Sequence, residues 1–309
     1  MNAGLYCATV LIWGSTWLAI KYQLGFVAVE VSIVYRFALA SLMLLGYCLM
    51  RGQSLRFNRA QHLWMAGLGF CLFCANYFFM YLASGYITTG LVSVGFCSMV
   101  VMNIVLSRLF FKTAISSRVL MGATLGMGGI CLVFWPEVTT FSWADAGAIG
   151  LCLVLIGTAF ASLGNMVSSR IQRANMAVMP ANAWGMAYGA GFMAIFALLR
   201  GTPFTFDPSF DYMWSLLYLA LFGSVMGFGC YLTLLGRIGP EKAVYCIVLF
   251  PLVALSLSTV YEGYHWPIEA AVGVPLVLWG NILVLTQPKT FLRMLYRVIG
   301  RDGALTEKG

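Results

Sequence analysis

The stretch VAVEVSIVYRFALASLMLLGYCLM, residues 27–50, decides the fold class, because it carries only two charged side chains, Glu30 near one end and Arg36 inside. A helix that crosses a bilayer needs about 20 mostly apolar residues, and this run supplies them. Working outward, similar runs fill the chain from near its first residue to about Thr286, at 3–22, 27–50, 62–84, 88–110, 118–135, 146–170, 180–200, 211–235, 242–261 and 266–286. Polar or turn-forming clusters separate them at Arg51 to Arg59, Lys112 to Arg118, Pro136 to Asp145, Gln172 to Pro180, Thr202 to Asp211 and Arg237 to Lys242. The third and fourth runs are joined by almost nothing, between Ser84 and Gly90. Of the 309 residues, 61% are apolar and 9% charged; soluble domains carry about 25% charged residues. That excludes a water-soluble domain and predicts an all-α integral membrane protein with ten transmembrane helices. The first run lacks a basic leader and a small-residue cleavage site, so it is expected to stay as a helix.

Charge gives the orientation. Lys and Arg collect on the cytoplasmic side of short loops. With ten spans, one side holds Arg51, Arg56, Arg59, Arg108, Lys112, Arg118, Arg170, Arg173, Arg237, Lys242 and five residues of the tail, 15 of the 18 basic residues. Lys21 and Arg200 fall on the other side, with Glu30, Glu137, Asp145, Asp207, Asp211, Glu262 and Glu269. Nine or eleven spans would scramble this segregation, so both termini are expected in the cytoplasm. The net charge of +8 is then a topology signal and not a nucleic-acid footprint. In the tail, 287–309, Phe291, Leu292, Met294, Leu295 and Val298 with Arg293, Arg297 and Arg301 read either as an amphipathic stretch on the anionic inner leaflet or as a solvated end.

The chain also repeats itself. Gly122 and Gly129 align with Gly273 and Gly280, Lys112 with Glu262, and Ile12-Trp13-Gly14-Ser15 with Leu155-Ile156-Gly157-Thr158. Each half, 3–135 and 146–286, then has five helices. An odd number enters the membrane upside down the second time, and the opposite charges of Lys112 and Glu262 fit that inversion. Inverted repeats typify secondary transporters, whose site lies near the midplane between the halves.

Tyr218-Leu-Ala-Leu-Phe-Gly-Ser-Val through Tyr231, Arg237-Ile-Gly-Pro240, Phe250-Pro251-Leu-Val-Ala-Leu, Ser258-Thr-Val-Tyr-Glu262-Gly263-Tyr and Gly280-Asn281-Ile-Leu carry a resemblance, as do Trp13-Gly14-Ser15-Thr16 and Arg36. The chain resembles the EamA-type members of the drug/metabolite transporter superfamily over about residues 3–286. The first half departs from the pattern, with no proline where Pro251 stands in the second and Lys112 where a glutamate is usual. The resemblance implies a ten-helix transporter of a bacterial inner membrane, monomeric or weakly dimeric, that exports or exchanges small metabolites, often amino acids, without a cofactor.

Ionisable residues inside a bilayer are functional candidates by default. Arg36, about ten residues into its run and so ~15 Å deep, has three readings: a clamp on backbone carbonyls, a cation that meets a substrate carboxylate, or a side chain snorkelling to the surface. Polar and aromatic side chains recur on single helix faces: Thr158, Ser162, Asn165 and Ser169; Cys74, Tyr77, Tyr81 and Ser84; Ser224, Phe228 and Tyr231. Trp13, Thr16, Trp17, Tyr245 and Ser256 add to them. Such stripes either line a cavity for a partly apolar solute or glue helices together. The candidate solute contacts are Trp13, Thr16, Trp17, Arg36, Tyr77, Tyr81, Thr158, Ser162, Asn165, Ser224, Tyr231 and Tyr245.

Other chemistries find little footing. Gly185/Gly189 and Gly122/Gly126 are helix-contact spacings, not phosphate cradles. Cys71-Leu-Phe-Cys74 has metal spacing but no second pair beside it, and all nine cysteines fall within spans. An intramembrane enzyme needs a nucleophile with a base or clustered metal ligands, yet His62 and His265 lie at opposite faces. A receptor would carry a soluble module. A proton/cation antiporter needs a buried carboxylate in its first span, so multidrug efflux of cationic or aromatic compounds stands second to transport of neutral or zwitterionic metabolites.

Overall fold

A computed structural model describes residues 2–23, 25–87, 89–139, 145–261 and 266–285, and these form helices joined by short connections, with no strand among them. In chain order the helices are α1 (Asn2–Lys21), α2 (Val29–Met50), α3 (Arg59–Ala83), α4 (Thr89–Phe96), α5 (Met99–Phe111), α6 (Ser117–Val133), α7 (Asp145–Arg173), α8 (Val178–Leu199), α9 (Phe210–Ile238), α10 (Cys246–Tyr261) and α11 (Ala270–Leu285). Single turns stand at Trp135–Thr139 and Pro240–Ala243. Seven helical stretches among the described residues are long and apolar enough to cross a membrane; α6 and α11 are apolar but shorter. Leu42, Leu49, Leu63, Leu109 and Leu199 are all more than 60% exposed. Water would penalise that apolar exterior, and lipid does not.

Local chemistry sets the ends of the helices. Asn58 and Gln61 form a reciprocal capping box at the start of α3, and the Ser209 hydroxyl accepts from the Tyr212 amide at the start of α9. Lys112 closes α5 in the left-handed conformation at φ 54°. The run expected at 88–110 is broken between α4 and α5 at Cys97 and Ser98, and the run expected from 242 becomes a turn before α10 begins. Thr140, Glu262, His265 and the tail from residue 286 lie outside the described residues, so the tail stretch is not among the helices above.

Hydrogen bonds tie like ends together. At one end Arg200 pairs with Glu30 at 2.8 Å. At the other, Arg237 donates to Asn2 at 3.4 Å, the Trp184 indole to the Leu55 carbonyl at 3.2 Å and Gln172 to the Leu232 carbonyl at 2.8 Å. By these ties α1 and α2 run in opposite directions, as do α7 and α8 and again α8 and α9, between an acidic end, with Glu30, and a basic end, with Arg173 and Arg237.

Two contacts hold the frame. The helices α6 and α11 cross backbone to backbone: a methyl group on Gly129 would stand 2.7 Å from the Gly273 carbonyl, and one on Gly280 would stand 2.8 Å from the Gly122 carbonyl. Small residues permit this approach, and in lipid close packing is what holds helices together. Elsewhere the Ser41 hydroxyl of α2 donates to the Ala183 carbonyl of α8 at 2.8 Å. Both α3 and α9 are wound more widely for two turns, in the π form, over Gly69–Ala75 and Leu219–Met226. Each segment begins about ten residues into its helix.

Candidate functional site

Arg36 sits in α2 seven residues after Val29, about 10 Å from the acidic end at 1.5 Å per residue. That is shallower than a count from residue 27 suggests, because the helix begins two residues later. The side chain is 3% exposed, so it does not snorkel. Its Nε donates to the Ser224 hydroxyl at 3.0 Å and its Nη2 to the Tyr77 hydroxyl at 3.4 Å. The guanidinium carbon lies 4.8 Å from the Tyr77 ring centre, a cation–π contact, and the charge is also felt by the Tyr81 phenol. None of these partners is a backbone carbonyl, so the clamp imagined from the sequence is made by hydroxyls instead. Nη1 is buried and has no hydrogen-bond partner among the described residues.

The wide turn of α9 makes room for this cation. Gly223 lies inside it, and a methyl group there would stand 3.0 Å from both Arg36 Nη2 and the Thr16 methyl. The Gly223 carbonyl accepts from the Trp13 indole at 3.0 Å. A π turn bonds i to i+5 and so displaces backbone groups from the ordinary ladder; such turns often mark functional sites. Thr16 spends its hydroxyl on the Trp13 carbonyl at 2.8 Å. Trp17 lies on α1, and its side chain is outside what the structure describes.

An aromatic strip leads away from Arg36 toward the basic end. Tyr77 faces Phe228 at 6.4 Å between ring centres, and Trp13 stands 5.0 Å from both Phe228 and Tyr231. The strip ends on a group of amides. Asn165 Nδ2 donates to the Tyr231 hydroxyl at 3.0 Å and to Asn103 Oδ1 at 3.5 Å, and Asn103 Nδ2 donates to the Pro240 carbonyl at 3.2 Å.

Of the twelve sequence candidates, Trp13, Thr16, Arg36, Tyr77, Tyr81, Asn165, Ser224 and Tyr231 meet in these contacts, and Ser162 and Thr158 lie one and two turns before Asn165 on α7. Thr158 is buried and gives its hydroxyl to the Val154 carbonyl of its own helix at 2.7 Å. Tyr245 stands apart, bonded to the Val119 carbonyl of α6 at 2.5 Å. Reading by helical faces missed Asn103, the lone amide of α5, and the tie from Tyr6 to Asn281. It also missed Gln23, which is 2% exposed and donates to Ser215 at 2.7 Å. For Asn103 and Asn281 an isolated amide in an apolar run was the available signal; Gln23 stands between two runs and offered none. Among the described residues no group of three His, Cys, Asp or Glu could hold a metal, and the cysteines there are free thiols.

A model of the EamA-like transporter family matches residues 3–135 and again 148–286. The chain belongs to this family. Its place there agrees with its relatives: it is 28% identical to the uncharacterized inner membrane transporter YedA of Escherichia coli, over 84% of this chain and 82% of that one. It is 24% identical to the protein PagO of Salmonella typhimurium, over 84% of each chain. An uncharacterized transporter of Archaeoglobus fulgidus is 21% identical over 90% of this chain and 96% of its own. A crystal structure of a protein 16% identical superposes with a TM-score of 0.75 over 95% of this chain and 98% of that one, so the fold is shared. This EamA protein is therefore a multi-pass membrane transporter that moves a small solute across a lipid bilayer.

Proposed function

We propose that this EamA transporter exports or exchanges small metabolites bearing a carboxylate, amino acids and related zwitterions foremost, across a bacterial inner membrane. The observation that carries the reading is Arg36 Nη1, a buried donor of a fixed cation left without a partner. An unmet buried polar group costs about 1–3 kcal/mol, more when charged, and a solute carboxylate docking there would remove that cost. Glu30 sits six residues away on the same helix but is already paired with Arg200. The aromatic strip accepts the apolar part of such a solute. It would also suit aromatic drugs, but a fixed positive charge disfavours the cationic ones, so multidrug efflux stays the second reading.

Alternating access of two inverted five-helix repeats, 3–135 and 146–286, is the mechanism we infer, with ten spans and both termini in the cytoplasm. Three features support it. The family model matches twice. The wide turns occur at like depths in α3 and α9, which hold the same place in the two halves. The third is the glycine seam, where Gly122 meets Gly280 and Gly129 meets Gly273; exchanging the halves maps one contact onto the other.

The reading is tested in proteoliposomes with pairs of carboxylic acids and their methyl esters, amino acids among them. Uptake of the acids and not of the esters is expected; equal uptake of both, or uptake of cations alone, overturns it. Orientation is tested separately by cysteine labelling in a cysteine-free background. Ser54→Cys is expected to react from the cytoplasm and Thr140→Cys from outside, and the reverse overturns the topology.

A further inference from the structure

The amide group at the basic end has a polarity that can be worked out. The Pro240 carbonyl accepts from Asn103 Nδ2 at 3.2 Å, which turns Asn103 Oδ1 toward Asn165. Two facing acceptors would repel, so Asn165 must present its NH2 there, and that nitrogen also reaches Tyr231 at 3.0 Å. The outcome is that Asn165 Oδ1 points away from all three and has no hydrogen-bond partner among the described residues. One turn earlier on the same face of α7, Ser162 Oγ is likewise buried and unpartnered. The two residues are 1% and 0% exposed.

We propose that Asn165 and Ser162 form a second solute subsite, uncharged, which receives a hydrogen-bond donor: a hydroxyl, an amide N–H or an ammonium. The inference rests on the carboxylate reading of Arg36 and extends it to the far end of the solute. Ser224 holds Arg36 and Tyr231 holds Asn165, and these two residues of α9 are seven apart. By an α-helical count Ser224 and Tyr231 stand about 10 Å apart along α9, less where the turn is wide, the reach of about three extended peptide residues. The α-ammonium of an amino acid, on the carbon that bears the carboxylate, cannot be the donor that reaches the second subsite. The solute that touches both sites is an elongated monocarboxylate with a donor at its other end, its methylenes or rings lying over Phe228 and Trp13. Asn165 offers only an acceptor on that side, so a second carboxylate would meet a single donor there, the Ser162 hydroxyl, against a facing amide oxygen.

Thermal unfolding of the purified protein tests this, titrated with straight-chain acids from butyrate to nonanoate, their ω-hydroxy counterparts and the methyl esters of both. In the longer acids the ω-hydroxyl should tighten binding about tenfold, the worth of one net hydrogen bond; in butyrate it should do nothing. Ser162→Ala and Asn165→Leu should remove the gain and keep the preference for acid over ester. Asn165→Leu also cuts ties to Asn103 and Tyr231 and can lower the folded yield. Ser162→Ala gives up no bond to the described residues, so it carries the test alone if needed. No hydroxyl gain at any length, or a gain that persists in Ser162→Ala, overturns the subsite. The two readings fail separately: a hydroxyl gain among the esters with no preference for acids sinks the role of Arg36 and leaves the subsite standing.

Discussion

The seam between α6 and α11 and the cleft between α1, α2, α3 and α9 both join the first half of the chain to the second, and they are made of opposite materials. In the seam, glycine backbone rests on glycine backbone. In the cleft, Arg36, Tyr77, Ser224 and Trp13 meet through side chains, and one donor is left over. A backbone contact has a single geometry and no unmet polar group, which suits a fixed axle. Side chains with spare hydrogen-bonding capacity can rearrange around a solute, and the wide turns of α3 and α9 put non-standard backbone where that happens.

The strongest way to break this contrast is to thicken the seam. Gly129→Leu would drive a side chain into the Gly273 carbonyl; overpacking costs about 1–3 kcal/mol or more, and folded yield by fluorescence-detected size exclusion should collapse. Gly128→Leu, next door with nothing within 4 Å, should behave as wild type. Equal yields would show that the seam is not a close contact.

Next in size is the cleft cation. Arg36→Lys keeps the charge and loses the planar fork, so yield should hold while affinity for carboxylate solutes falls about ten- to a hundredfold, as for a lost charged hydrogen bond. A fall in yield with unchanged affinity would make Arg36 part of the frame. Tyr77→Phe removes only the 3.4 Å bond to Nη2 and keeps the ring under the guanidinium. Its effect on affinity should be about fivefold or less, and Tyr77→Ala should cost more.

The smallest expected effect is nil. Among the described residues Glu30 is the buried carboxylate, tied to Arg200 at the acidic end, so the cleft offers no acid to carry a proton. An imposed pH difference should not drive accumulation of solute in proteoliposomes; accumulation against the gradient would place a titrating group in the path.

Much of this was legible beforehand, for physical reasons. Span-length apolar runs, loop charges and glycines seven apart are properties of the chain itself. An unbroken 3.6-residue period carries Thr158, Ser162 and Asn165 of α7 to the inside, while on α9 the ordinary period covers Phe228 and Tyr231 and Ser224 lies in the wide turn. What stayed hidden depends on other helices. A π turn follows no apolar period, so the widening at Leu219–Met226 and the room Gly223 makes for Arg36 leave no trace in the residue pattern. Asn103 acquires its meaning only from Pro240, more than a hundred residues later. Tyr245 resembles a cavity residue by composition, and its bond to Val119 makes it a strut.

The glycine seam also bears on how the two halves can diverge. Under the proposed repeat, a contact that survives the exchange of its two sides would be that of a two-fold dimer, with both partners on one chain. At Gly122, Gly129, Gly273 and Gly280 neither half can gain a side chain without meeting a carbonyl of the other, so drift at these four positions is coupled. In the proposed repeat Lys112 and Glu262 take matching places with opposite charges. Selection on the seam thus acts on the pair of halves, while loops and cleft are at liberty to specialise one half at a time.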